Sequence, residues 1–232
     1  MLKYINTPLQ EILDEALVKQ KLKLFMKRED RNHSLVSGNK WWKLKYNLEE
    51  AQKLGYETLL TFGGAFSNHI YATAAAAKEL GLKSIGVIRG EEVLPLNETL
   101  AFAKDCGMKL QYVSREEYRG KSDDEFINKL KNQFGNFYLI PEGGTNKLAV
   151  KGSAAFAKEK LAEIDFDYLC VPVGTGGTLA GIVCGLEGIK KAIGFSVLKN
   201  GEFLNEEVQK LIKDFSGIKY DNWCIETNYH FG

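Results

Sequence analysis

An α/β fold built mostly on parallel strands is predicted by three features of the 232-residue sequence. Strand-like and helix-like segments alternate from residue 58 onward. Several of the strands are apolar throughout, the pattern of strands in a sheet covered on both faces. Glycine-bearing loops recur directly after strands, where a parallel sheet gathers its ligands. With 44% hydrophobic and 26% charged residues, the chain can bury a sizeable core.

The elements follow in order. Leu22 to Arg28 alternates enough to read as a strand, and Glu29-Asp30-Arg31-Asn32-His33 reads as a polar loop. From Trp41, apolar residues at Leu44, Leu48, Ala51 and Leu54 line one helical face, and Gly55 ends it. Thr58–Phe62 is a strand, followed by a helix capped by Ser67 or Asn68 and ending at Leu80-Gly81. Ser84–Ile88 and Leu110–Val113 are strands around a helix over Asn97–Asp105. A charged helix is expected over Ser114–Asn132, then a short strand at Phe137–Ile140. The spacing predicts a helix over Lys147–Ile164, a strand at Tyr168–Val173, and a helix ending at Leu186. A strand at Ala192–Leu198 and a helix over Phe203–Phe215 close the series. Asn228–Gly232 ends the chain with neither helix nor strand.

Composition excludes several function classes. A formal net charge of +1 gives no basic excess for nucleic acid. No apolar run is long enough to cross a bilayer, and the N-terminus is not a signal peptide. Cys106, Cys170, Cys184 and Cys224 form no C-x-x-C pair and read as buried free thiols. Three histidines make a zinc site hard to assemble, so no metal is expected. A cytoplasmic protein follows.

Chemistry concentrates in four stretches. Ser37-Gly38-Asn39-Lys40 places a lysine where a loop turns into a helix. Gly174-Thr175-Gly176-Gly177-Thr178 follows an apolar strand and opens a helix, so backbone N–H groups, two hydroxyls and the helix dipole suit one phosphate group. A tight turn binding nothing is the alternative. The third glycine of a dinucleotide fingerprint falls at Leu179, and this loop lacks the G-K-[ST] of a Walker loop, which disfavours nucleotides. Gly63-Gly64-Ala65-Phe66-Ser67-Asn68-His69 could bind a carboxylate or supply only an N-cap. Pro141 to Asn146 could line a site or only turn the chain in a type II turn. A phosphate cradle, a carboxylate pocket and an isolated lysine together suit pyridoxal phosphate carrying an amino acid.

These motifs resemble the 1-aminocyclopropane-1-carboxylate deaminase and D-cysteine desulfhydrase family of tryptophan-synthase-β-like (fold type II) pyridoxal phosphate enzymes. The family's G-G-N-K-x-R-K-L-E is met by Ser37-Gly38-Asn39-Lys40-Trp41-Trp42-Lys43-Leu44-Lys45, and G-G-x-x-S-N-[HQ] by Gly63, Gly64, Ser67, Asn68 and His69. The resemblance implies a two-domain, three-layer α/β/α fold, with residues 1–46 and 141–232 in the larger domain and 47–140 in the smaller. It implies that Lys40 is the Schiff-base lysine, beside Asn39. Ser67 would handle the substrate carboxylate and a proton, Asn68 the ring hydroxyl of the cofactor, and Gly174–Thr178 its phosphate. Ser67, Asn68 and His69 would form the substrate pocket.

Departures bear on the substrate. Trp42 replaces an arginine, Ser37 a glycine and Lys45 an acid, while Phe66 and Tyr71 replace a glutamine and an arginine. Trp41-Trp42 marks a local surface that the family pattern does not explain. His69 matches desulfhydrase-type members, so β-elimination from D-cysteine to pyruvate, ammonia and sulfide is expected. The 1-aminocyclopropane-1-carboxylate deaminase reaction is the alternative, and a non-catalytic phosphate-ligand binder is the alternative of another class. A homodimer is expected. Family members run past residue 232, so the resemblance implies a chain shortened at its C-terminus.

Overall fold

The computed structural model describes residues 1–230; Phe231 and Gly232, the last of the expected irregular ending, lie outside the described residues. The elements run β1 (Leu9–Ile12), α1 (Glu15–Lys19), β2 (Leu24–Lys27), α2 (Asn39–Lys53), β3 (Thr58–Gly63), α3 (Asn68–Glu79) and β4 (Lys83–Arg89). They continue with α4 (Glu98–Asp105), β5 (Lys109–Val113), α5 (Arg115–Arg119), α6 (Asp124–Phe134), β6 (Tyr138–Ile140) and α7 (Lys147–Phe156). The last are β7 (Tyr168–Val173), α8 (Gly177–Leu186), β8 (Lys191–Ser196), α9 (Leu204–Ser216) and β9 (Trp223–Glu226).

Two parallel sheets organise the chain, one in the order β5-β4-β3-β6 and one in the order β7-β8-β9. A separate antiparallel pair joins β1 to β2. The first sheet is the middle of three layers. Leu60, Phe62, Val87 and Phe137 form one apolar cluster with Leu130 of α6, while Ile88 packs with Ile70, Ala74 and Leu100 from α3 and α4. A longer core runs from α2 through α7 and α8 to α9, with Leu44, Leu48, Val150, Ile182 and Val208 fully or nearly buried. Helix α2 runs across residues 46 and 47, between which the two domains are expected to divide.

Several expectations change. The helix expected over Ser114–Asn132 is two helices. Ser114 and Glu117 close a capping box that makes α5 a short unit, and Asp123 opens α6 after Gly120. The helix after Asn146 passes into a π-type turn over Ala157–Leu161. Strand β7 is not buried on both faces: Tyr168, Cys170 and Pro172 alternate outward, so among the described residues helices cover the β7–β9 sheet on one face only. An apolar composition conceals this, because Cys and Pro count as core residues in a sequence whatever packs on them. Of the four cysteines only Cys184 is buried, and Cys170 and Cys224 are exposed; all four are free thiols. Strands β1 and β9 and helix α1 have patterns too short to stand out from their polar surroundings. No helix among the described residues is long and apolar enough to cross a membrane.

Candidate active site

Lys40 is the second residue of α2, which begins at Asn39, two residues before the apolar pattern that starts at Trp41. Gly38 caps the helix with φ +68° and ψ −147°, a conformation that favours glycine. The loop before it is held by a carboxylate whose sequence surroundings, residues 29–33, are wholly polar. Glu29 accepts from Tyr4 Oη (2.9 Å), Thr7 Oγ1 (2.6 Å), Asn32 Nδ2 (3.0 Å) and Trp42 Nε1 (2.7 Å). Its backbone carbonyl accepts from Gly38 N at 2.8 Å. Trp42 and Trp41 are therefore not a surface: they are 2% and 5% exposed and pack edge-on at 4.8 Å, with Tyr4 against both. Trp42 fills the core with its ring and neutralises nothing, but its N–H completes the ligation of Glu29.

One cavity of about 540 Å³ is lined by every site residue the sequence indicated: Asn39, Lys40, Ser67, Asn68, His69 and all of Gly174–Thr178. Burial lowers the pKa of Lys40 below the ordinary lysine value. Asn39 Nδ2 donates to Thr178 Oγ1 at 2.8 Å, tying the lysine loop to the start of α8. Ser67, not Asn68, is the N-cap of α3: its Oγ accepts from His69 N (3.2 Å) and Ile70 N (3.3 Å). Those bonds use the oxygen's lone pairs and leave its hydroxyl proton free to donate.

His69 is 2% exposed, and its partner comes from β3, out of reach of any local sequence pattern. Thr61 Oγ1 donates to Ile140 O at 2.8 Å and so must accept from His69 Nε2, also at 2.8 Å. The ring thus carries its proton on Nε2 and presents Nδ1 as a buried acceptor without a partner. Burial, then the charges of Lys40 and Lys43, push its pKa well below the usual histidine value, so the ring stays neutral.

Lys43, named above only within the motif around Lys40, is 1% exposed and faces the same cavity. Its Nζ donates to Thr145 Oγ1 at 2.9 Å, and Thr145 is 2.6 Å from Thr175 Oγ1. A Cβ added to Gly177 would stand 3.3 Å from that amine and 3.1 Å from Thr145, so glycine keeps the space beside Lys43 open. In the turn after β6, Gly144 N donates to Pro141 O at 2.8 Å and Gly143 stands at φ +63° and ψ 8°, the conformation of the third residue of a type II turn, and Gly143 lines the cavity. No group of three metal-ligating side chains occurs among the described residues.

Residues 1–200 match the family model described as pyridoxal-phosphate dependent enzyme. The chain belongs to that family. Among its relatives, a Thermotoga maritima protein provisionally named 1-aminocyclopropane-1-carboxylate deaminase is 36% identical over 234 residues, 95% of this chain and 74% of that one. The mitochondrial bifunctional D-cysteine desulfhydrase/1-aminocyclopropane-1-carboxylate deaminase of Arabidopsis thaliana is 33% identical over 208 residues, 82% of this chain and 52% of its own length. The crystal structure of an ACC deaminase homologue superposes with TM-score 0.80 at 27% identity, covering 97% of this chain and 72% of that one. The chain is thus shorter than these relatives.

Pyridoxal phosphate is the cofactor of this family, and the residues present fit it. The first N–H groups of α8 have no partner within the helix, and the Gly177 gap brings the Lys43 amine beside them. Hydroxyls of Thr175 and Thr178 and the dipole of a ten-residue helix complete a phosphate-sized anion site. The orphaned Nδ1 of His69 offers an acceptor in the same cavity.

Lys43 should then cost stability in the cofactor-free protein. Burial, then Lys40, drives its pKa well below the ordinary lysine value. The native amine thus holds its proton less tightly than the unfolded one, and stability rises with pH until the unfolded lysine value is passed. Lys43→Met removes the term and should stabilise the cofactor-free protein by about 1–2 kcal/mol near pH 7, with a shrinking gain toward pH 10. Urea unfolding at several pH values reads this out, and a destabilised, pH-independent Lys43→Met protein would contradict it. Cofactor affinity should fall in the same variant.

Proposed function

We propose that this protein eliminates or deaminates a small amino acid with pyridoxal phosphate, D-cysteine being the favoured substrate and pyruvate, ammonia and sulfide the products. The supporting observation is convergence: a half-buried lysine at a helix start, a carboxylate-type turn and a phosphate-type loop all open onto one cavity. When bound, the cofactor supplies an electron sink for charge developing at the substrate α-carbon.

The remaining work falls to the chain. Lys40 anchors the cofactor, and its released amine takes the α-proton on Nζ. A base must be neutral to do so, and burial favours the neutral amine. Gly174, Thr175, Gly176, Gly177 and Thr178 hold the phosphate, with Lys43 supplying the buried counter-charge. Asn39 keeps the lysine loop in register with α8 through Thr178. Ser67 donates its free hydroxyl proton to the substrate carboxylate at the α3 N-terminus, and Asn68 serves the ring hydroxyl of the cofactor. His69, through Nδ1, accepts a proton donor within the pocket while Thr61 fixes its tautomer.

The histidine at position 69 supports the desulfhydrase reading. The names of the Thermotoga relative and of the solved homologue favour 1-aminocyclopropane-1-carboxylate deamination as the second reading. Residues 1–46 with 141–232 and residues 47–140 form the two domains in this proposal, with the cavity between them. A homodimer is part of it too: the exposed Leu24, Phe25 and Met26 of β2 offer apolar surface for a partner.

Borohydride reduction of the cofactor-loaded protein, followed by peptide mapping, tests the anchor. The pyridoxyl group is expected on the peptide bearing Lys40. An adduct on any other lysine, or none, sinks the assignment. Sulfide with pyruvate from D-cysteine, against 2-oxobutyrate from the cyclopropane substrate, then separates the two readings.

A further inference from the structure

One charged group of the cavity wall has no task in the mechanism above. Arg89 is the last residue of β4, is exposed, and lines the cavity from the small sheet. Among the described residues its guanidinium has no ion-pair or hydrogen-bond partner, although Arg28 in the same chain is bonded to Asp30 and Gln10. It is nevertheless held in place. Its Cζ lies 5.7 Å from the ring centroid of Tyr118, and its Nη2 would be 3.6 Å from a Cβ at Gly64. The missing side chain at Gly64 lets the guanidinium lie along the loop that leads to Ser67.

The anions already assigned do not need it. The phosphate has the start of α8 and the Lys43 amine, contributed from outside the small sheet. The α-carboxylate has the Ser67 hydroxyl and the Asn68 N–H at the start of the twelve-residue α3. Glu142 is the one acid in the cavity lining, and it pairs with Lys121 at 3.3 Å. The lining therefore holds one exposed cation, the Arg89 guanidinium, beside two lysine amines whose pKa burial lowers, against a carboxylate that already has a counter-ion. A guanidinium left bare in a ligand cavity is a fork for a planar or tetrahedral oxyanion.

We infer that Arg89 is a specificity-determining residue that favours small amino acids whose β-substituent is itself an oxyanion, such as a phosphate ester or an S-sulfonate. The inference rests on the proposed amino-acid elimination at this site and narrows its substrate class. The chemistry closes without an oxidant or reductant. The α-proton passes to Lys40 Nζ, and the bond from Cβ to the substituent breaks with its electron pair leaving on the oxyanion group. Water then displaces the amine as ammonia and leaves pyruvate.

Calorimetric binding to the cofactor-loaded protein tests this without turnover as the readout, using reduced, borohydride-treated protein so that no ligand is consumed. The probes are O-phosphoserine against serine and S-sulfocysteine against S-methylcysteine, each as both enantiomers. At least one oxyanionic probe should bind about 10-fold or more tighter than its uncharged counterpart, the worth of one charge-assisted fork. Arg89→Met should erase that preference while changing affinity for the uncharged probe less than about 2-fold, and Arg89→Lys should restore part of it. Equal affinities in the unmodified sequence overturn the inference, as does an equal loss for both probes in Arg89→Met, which would place the α-carboxylate on Arg89. If phosphate binds tightly but sulfonate does not, the class narrows to phosphate esters. Failure of the underlying elimination reading shows separately, as absence of a reducible adduct on Lys40.

Discussion

Lys40→Ala is expected to lower turnover about a thousandfold, the scale of losing a positioned general base, and to remove the covalent attachment of the cofactor as well. No neighbour can stand in. The Lys43 amine is committed to Thr145, 2.9 Å away, on the phosphate side of the cavity. His69 has its Nε2 fixed on Thr61, and its Nδ1 is a weak base because burial and the neighbouring lysines hold the ring's pKa well below the usual histidine value. Lys40→Ala should still fold, because Gly38, Asn39 and Glu29 set the start of α2 without the amine. Release of 2-oxo acid, with retention of cofactor through dialysis, measures both effects, and added methylamine should recover part of the turnover. A variant within about tenfold of the parent would move the base to another residue.

Gly152→Ala should be the most damaging single methyl group in the fold. An alanine in a helix interior ordinarily stabilises by about 0.8–1 kcal/mol over glycine. Here the added Cβ would lie 1.8 Å from the Trp42 carbonyl oxygen and 2.7 Å from its carbon, and both are backbone atoms of α2. No side-chain rotation can relieve that contact, so α7 and α2 must separate and the aromatic packing of Trp42 on Phe156 loosens. A loss of about 3 kcal/mol or more is expected in denaturant unfolding, above the usual range for overpacking because a whole helix must shift. Cofactor affinity should fall with it, since α2 carries both Lys40 and Lys43. An unchanged midpoint would show that the two helices have slack at this contact.

Much of the site was legible because its chemistry is local. A lysine one residue past Gly-Asn, a Ser-Asn turn after Gly-Gly, and a glycine-rich run between strand and helix are each short, and each follows or opens a regular element. What stayed hidden depends on long-range pairing. Glu29 reads as one acid in a polar loop until Tyr4, Thr7, Asn32 and Trp42 all turn toward it. His69 reads as a solitary histidine until β3 brings Thr61 beneath it. Trp41-Trp42 reads as a local surface because a stripe on one helical face offers the second ring no partner, whereas Tyr4 packs on both rings and Phe156 on Trp42.

By itself the sequence determined the α/β class, most of the helices and strands between residues 58 and 216, and the short motifs that resemble a pyridoxal phosphate enzyme. Those follow from periodicity, capping and glycine placement, which act over a few residues. Only the tertiary structure decided that the three motifs share one cavity, that Lys43 is a buried cavity amine rather than a surface charge, and that Arg89 stands unpaired opposite them. The reason is physical: burial and charge pairing depend on which distant segments meet, and no local pattern of residues carries that information.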